Sequence, residues 1–186
     1  MCKKLFLLVV IAMSFVIMFG APAIAVNSFY DLSTDNTTIS YNINGATWER
    51  FQPETPTGSG VFYSFLRVAR NISERGYNTD GRPIQFDEKT AANFTRSIAF
   101  SDVPLIDGKR EFQLDINENK SYPDYYMSLD EFQVWITDDP DLLGYNETTR
   151  SFAPGTATLV YDLDTEDVNS TIIMDFRANP GSGKRD

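Results

Sequence analysis

Ile39-Ser40-Tyr41-Asn42-Ile43-Asn44-Gly45 places an apolar side chain at every second position and stops on an Asn-Gly pair. Successive side chains of a strand point to opposite faces, so this alternation makes one apolar face and one polar face. Asn and Gly tolerate the positive φ angles of a tight turn. The same period of two recurs along the chain. Phe112, Leu114 and Ile116 alternate with Glu111, Gln113 and Asp115. Phe132, Val134 and Ile136 alternate with Gln133, Trp135 and Thr137. Leu159, Tyr161 and Leu163 alternate with Val160, Asp162 and Asp164, and Ile172, Met174 and Phe176 repeat the pattern. Turn chemistry separates these runs at Asp80-Gly81, Asp107-Gly108 and Pro154-Gly155. Asp107-Gly108, between Val103-Pro104-Leu105-Ile106 and Arg110-Glu111-Phe112, predicts a tight hairpin. Strands recurring with turn signals and almost no helical stripe predict an all-β chain, an antiparallel β-sandwich or jelly roll of one domain.

Two stretches carry competing signals. In 61–70 (VFYSFLRVAR), Phe62, Phe65, Leu66 and Ala69 fall at helical spacing, but the Val, Phe and Tyr content favours a strand. The stretch 128–136 opens on Ser128-x-x-Glu131, a capping-box pattern, yet its alternation again favours a strand.

The N-terminus reads as an address. Lys3 and Lys4 precede an unbroken apolar run of 15 residues, Leu5 to Phe19, and then Gly20-Ala21-Pro22-Ala23-Ile24-Ala25. A positive head, an apolar run and an Ala-x-Ala end make a secretory signal peptide, and the run is short of the ~20 residues of a spanning helix. The expected organisation is a signal peptide over 1–25, a β-sandwich domain over 26–178 and a polar tail over 179–186. No second apolar run long enough to span a membrane follows Ala25. The expected location is therefore secreted, extracellular or at the cell surface.

Composition narrows the chemistry. The 186 residues hold 16 Lys and Arg against 26 Asp and Glu, a net charge of -10, and no histidine. Loss of Lys3 and Lys4 with the leader makes the mature chain more acidic still. That charge excludes a phosphate-tracking nucleic-acid binder. The missing histidine removes His-based nucleophile pairs and His metal sites. Cys2, the single cysteine, lies in the leader, so the mature chain holds no disulfide.

The sharpest local motif is LDINENKSYPDYYMSLDEF, residues 114–132. Asp115, Asn117 and Asn119 have the 1-3-5 oxygen spacing that opens an EF-hand loop, while Ser128 and Glu131 match its ninth and twelfth positions. Calcium takes six to eight hard oxygens, which alternate residues of a bent loop can aim at one point. The spacing carries five extra residues, and Lys120 stands where the loop glycine belongs. The alternative is an acidic, Asn-rich hairpin loop. The acidic runs Asp138-Asp139-Pro140-Asp141 and Asp162, Asp164, Glu166, Asp167 read as solvated strand ends.

Tyr122, Tyr125 and Tyr126 fall inside that loop, and Trp135 lies on the polar phase of its strand. Aromatic faces beside carboxylates can stack on sugar rings, which makes these four residues candidates for carbohydrate binding; packing at the sheet edge is the alternative. Trp48 reads as structural. Asn-x-Ser/Thr occurs at Asn36, Asn71, Asn93, Asn119, Asn146 and Asn169, six candidate glycosylation sites. Glu111 or Asp115 with Glu131 could form the carboxylate pair of a glycoside hydrolase, but an acid-rich chain yields such pairs trivially. With no GxSxG, P-loop or HExxH motif, a catalytic role is not the expectation.

Asn78-Thr79-Asp80-Gly81, Ile84-Gln85-Phe86-Asp87, Phe94-Thr95-Arg96-Ser97-Ile98, Arg110-Glu111-Phe112-Gln113-Leu114-Asp115-Ile116-Asn117-Glu118 and Ser128-Leu129-Asp130-Glu131-Phe132 together resemble secreted β-rich envelope proteins of prokaryotes, the PEP-CTERM-associated type. In that type a strand ending Leu-Asp-Ile-Asn leads through a variable loop to Ser-Leu-Asp. The resemblance implies an extracellular β-rich module of unknown activity. The chain's own composition and patterning make a structural or adhesive role the expectation, with an extracellular polysaccharide or envelope protein as partner. The Pro-Glu-Pro sorting tail of the type does not follow Phe176.

Overall fold

The computed structural model describes residues 26–34, 39–50, 64–70, 73–114, 116 and 126–175. Residues 1–25, 35–38, 51–63, 71–72, 115, 117–125 and 176–186, which include the expected signal peptide and polar tail, lie outside these residues. The described chain is β-rich with no α-helix. Its strands are β1 (Val26–Asp31), β2 (Ser40–Ile43), β3 (Ala46–Glu49), β4 (Leu105–Ile106), β5 (Lys109–Arg110), β6 (Tyr126–Leu129), β7 (Gln133–Ile136), β8 (Thr158–Asp162) and β9 (Val168–Asp175). A 3-10 turn spans Phe100–Asp102.

These strands form four small sheets rather than two facing ones. The largest has the order β1-β9-β6; the others are the pairs β2-β3, β4-β5 and β7-β8. One pairing departs from the antiparallel expectation, since β1 runs parallel to β9, from Val26 opposite Val168 to Asp31 opposite Ile173. No tight turn joins these two strands, so nothing local imposes an antiparallel match.

Both two-residue turns follow from their chemistry. Asn44 and Gly45 take φ 50° and 87°, and Asp107 and Gly108 take 49° and 79°. Two successive left-handed residues match the twist of the flanking strands. Asn44 also fixes where its hairpin packs, because its side-chain amide donates to the carbonyls of Asp162 (3.0 Å) and Leu163 (2.8 Å). The apolar phase Ile39, Tyr41, Ile43 turns inward as its spacing requires.

The core lies where the β2-β3 hairpin meets the ends of β1 and β8 and the middle of β9. Leu32, Ile43, Leu163 and Ile172 are buried together, with Tyr30, Tyr41, Trp48, Leu129, Phe132, Tyr161 and Met174 packed around them. Trp48 is structural: its indole donates to Tyr161 Oη at 2.8 Å and its ring meets Phe132 edge-on at 5.3 Å.

The alternation at Phe112 and Leu114 forms no strand, and both side chains are exposed. Alternation supplies a face, but a strand also needs a partner for its backbone groups. Here the ladder extends β4-β5 by one bond, from the Glu111 amide to the Pro104 carbonyl, and stops. The segments 64–70 and 73–99 form no named strand; scattered backbone bonds, such as Lys89 to Arg67 (2.8 Å) and Arg96 to Phe65 (3.0 Å), and side-chain contacts hold them. Thr79 Oγ1 lies 2.9 Å from the Leu142 carbonyl and accepts from the Gly81 amide. Gly81 is required for space, since a Cβ there would sit 2.3 Å from the Asp141 carbonyl oxygen.

Glu88 is buried, and its two carboxylate oxygens accept the Tyr77 amide (3.1 Å) and the Phe86 amide (2.8 Å). Glu88→Ala leaves both donors without that acceptor and is expected to cost about 1–3 kcal/mol in urea unfolding. Glu88→Gln, which keeps one acceptor oxygen, should cost less. Equal losses in the two variants would refute this role.

Candidate functional site

The richest polar cluster forms where a tight turn carries Arg150 against β7 and β8. The turn is closed by reciprocal backbone bonds between Asn146 and Ser151 (2.9 and 3.2 Å). The Asn146 side-chain oxygen accepts the amides of Thr148 and Thr149, which caps the turn from within. Arg150 itself takes φ 49°, a left-handed conformation that costs a residue with a Cβ roughly 1–2 kcal/mol.

Three carboxylates offset that strain. The Arg150 guanidinium lies 2.9 Å from Asp164, 3.1 Å from Asp162 and 3.5 Å from Glu131. Burial works against its charge, but Asp162, Glu131 and Asp164 together outweigh that and hold the guanidinium more firmly protonated than usual. Asp164 also accepts the Ser170 amide at 2.8 Å. Gln133 and Asp162 face each other across β7-β8, and the Gln133 amide donates to Asp162 at 2.7 Å.

An aromatic wall continues from this network. Phe152 meets Tyr77 and Tyr145 at 5.3 Å each and Trp135 at 5.6 Å, all edge-on, and Phe86 meets Tyr77 at 6.0 Å. Every ring in the wall is half-buried. The register of β7-β8 skips Val160, so a bulge sits beside Trp135. Polar tips are satisfied within the wall. The Trp135 indole donates to the Gln133 carboxamide oxygen at 2.9 Å, the Tyr77 hydroxyl donates to Gln85 at 2.9 Å, and the Tyr145 hydroxyl donates to Glu131. Gln85 in turn donates to the Tyr145 carbonyl at 2.7 Å. The arrangement ties Tyr145 and Phe152 to Tyr77 and Trp135 and leaves half-buried rings beside the charged network.

Burial pushes the phenols of Tyr77 and Tyr161 up, and burial with the Glu131 carboxylate pushes Tyr145 well above the usual tyrosine range. A raised phenol favours the neutral folded form. Its contribution is therefore complete below pH ~10 and lost as pH climbs through the folded value. Absorbance of the nine tyrosines at alkaline pH should show three ionising late, in step with loss of structure. A single transition of all nine near pH 10 would contradict this.

The structure places the sequence-read site residues as follows. Asp115, Asn117 and Asn119 lie outside the described residues. Ser128, on β6, donates to Asp130 at 2.9 Å. Glu131, just before β7, is engaged by Tyr145 and Arg150. Among the described residues no group of three or more Asp, Glu, His or Cys is arranged to hold a metal. Tyr122 and Tyr125 lie outside; Tyr126 opens β6 opposite Asp175, while Trp135 sits in the β7-β8 sheet under Phe152. Asn93, Asn146 and Asn169 are exposed, and Asn36, Asn71 and Asn119 lie outside the described residues. The acidic run at 162–167 is no mere solvated end, since Asp162 and Asp164 bind Arg150.

Sequence reasoning passed over Arg150, Tyr145, Tyr77 and Phe152. The one signal available was an arginine close behind the Asn146 sequon in a chain with few cations. No protein-family model, curated protein or solved structure matches this chain.

Proposed function

We propose that the chain is an exported or cell-surface β-sandwich module with a structural and adhesive role, in which the 115–131 loop holds calcium. The role is one of binding rather than catalysis. The observation that carries it is the apolar surface left outside a small core. On β1, Val26 and Phe29 are 62% and 69% exposed, and on the β4-β5 hairpin Leu105 and Ile106 are 60% and 51% exposed. Phe100, exposed beside that hairpin, lies under the Arg110 guanidinium at 4.5 Å. Leu105, Ile106 and Phe100 with the Arg110 guanidinium give the hairpin exposed apolar groups beside a charge, the character of a contact surface. The sandwich reading is supported by the β2-β3 hairpin sharing its core residue Ile43 with Leu32 and Ile172 of the three-stranded sheet region.

Expression of the full-length chain tests this reading. The protein should appear outside the cytoplasm and be retained at the cell surface or self-associate, and Leu105→Glu with Ile106→Glu should abolish retention. A cytoplasmic product, or unchanged retention in that variant, would refute it. For the loop, saturating calcium at 100 times its dissociation constant should add about 2.7 kcal/mol over EDTA. Asp115→Ala should abolish the gain, and no shift in melting temperature would sink the calcium reading.

A second reading, a carbohydrate-binding module, is favoured by the exposed Tyr126 at the start of β6. Glycan-array binding lost on Tyr126→Ala would support it.

A further inference from the structure

The end created by cutting after Ala23-Ile24-Ala25 is Val26, and the fold has a place for that end. Val26 opens the parallel β1-β9 pair opposite Val168, and its backbone nitrogen donates to the Asp167 carbonyl at 2.7 Å. That carbonyl belongs to the turn joining β8 to β9, closed by backbone bonds between Thr165 and Val168 (2.9 and 3.4 Å). Two of the carboxylates at this end, Asp162 and Asp164, are committed to Arg150. Glu166 and Asp167 are exposed and have no cation partner among the described residues.

We propose that removal of the leader creates a cation that binds the chain's own fold: the α-ammonium of Val26 docks on the β8-β9 turn. It donates to the Asp167 carbonyl and is attracted by the carboxylates of Asp167 and Glu166. The proposal rests on the export reading above. A leader peptidase breaks the bond from the Ala25 carbonyl carbon to the Val26 nitrogen. The hydroxyl of water goes to that carbon and its proton to the nitrogen, which takes a further proton from solvent. An α-amine titrates near pH ~7.7–8.0, so the new end is charged at neutral pH. A neutral amide donor thereby becomes an ammonium, and a charge-assisted bond is roughly twice as strong as a neutral one. The gain falls on β1, which among the described residues is an edge strand paired with β9 alone. Processing and closure of the sheet are thus coupled.

The chain beginning at Val26 contains every described residue, and it is compared with the same chain acetylated on its α-amine. Acetylation keeps the N–H donor and removes the charge. The acetylated chain should melt about 2–4 °C lower at low salt, and the gap should close in about 1 M salt because the groups are exposed. Glu166→Gln with Asp167→Asn should shrink the gap as well. Equal melting of the free and acetylated chains overturns the docking. The intact mass of protein exported from the full precursor judges the cut separately. A mature end at Val26 supports it, whereas another end, or an uncut chain, overturns the processing step whatever the melting pair shows.

Discussion

Arg150→Met is expected to lower the free energy of unfolding by about 2–3 kcal/mol. Arg150 is the cation that Glu131, Asp162 and Asp164 share. Breaking a fully buried pair costs about 3–5 kcal/mol, because the partner is left as an uncompensated charge. Here Arg150 is 35% exposed, so water recovers part of the loss, but the Asp164 side chain is only 8% exposed. Asp164 keeps the Ser170 amide and loses its counter-charge, so most of the penalty falls there. Urea unfolding with an unchanged slope measures the effect. Arg75→Met is the control, since the Arg75–Glu147 pair is exposed at both ends and should be worth about 1 kcal/mol or less. Adding Asp164→Asn to Arg150→Met should recover part of the loss, as expected for coupled neighbours. Equal costs for the Arg150 and Arg75 variants would refute the clamp. Arg150→Gly relieves the left-handed backbone and should still destabilise, which separates charge from strain.

Leu163→Ala is expected to cost about 3–5 kcal/mol, a large part of the stability of any domain this size. Leu163 is fully buried at the meeting point of the hairpin, the end of β8 and the middle of β9. Its backbone is pinned on both sides: the amide donates to the Phe132 carbonyl at 2.9 Å and the carbonyl accepts from Asn44. A pinned backbone cannot collapse into the space a removed side chain leaves, which places the cost in the upper part of the usual range. Leu159→Ala, four residues earlier on the exposed face of β8, should cost under about 1 kcal/mol. Thermal and urea unfolding of the pair decide the matter. Similar costs at both positions would show that the core does not centre on Leu163.

The period of two at Ile39-Tyr41-Ile43 led directly to β2, and both Asn44-Gly45 and Asp107-Gly108 led to tight hairpin turns. Residues 126–129 and 133–136 are strands, as their alternation favoured, but 64–70, the described part of the other stretch, is neither helix nor the favoured strand and makes one isolated bridge, Val68 to Glu88. The same pattern misled at Phe112 and Leu114, where alternation met no partner strand. Trp135 stood on the polar phase of its run for a reason outside that run, namely that Phe152 covers it. Of the carbohydrate and metal candidates, Glu131 gained its neighbours from a turn residue 19 positions on, which no spacing rule anticipates.

The sequence by itself determined the β class, the sites of the two tight turns and the acidic, histidine-free chemistry of the chain. Each of these is written in residue types or in neighbours a few positions apart, where side-chain direction and turn geometry act without help from the rest of the molecule. Tertiary structure alone decided that β1 lies parallel to β9, that Asn44 locks onto the carbonyls beside Leu163, and that one arginine gathers three carboxylates. Those choices join residues far apart in the chain. They depend on which surfaces bury each other best and which charges then find a partner, and local sequence carries no record of either.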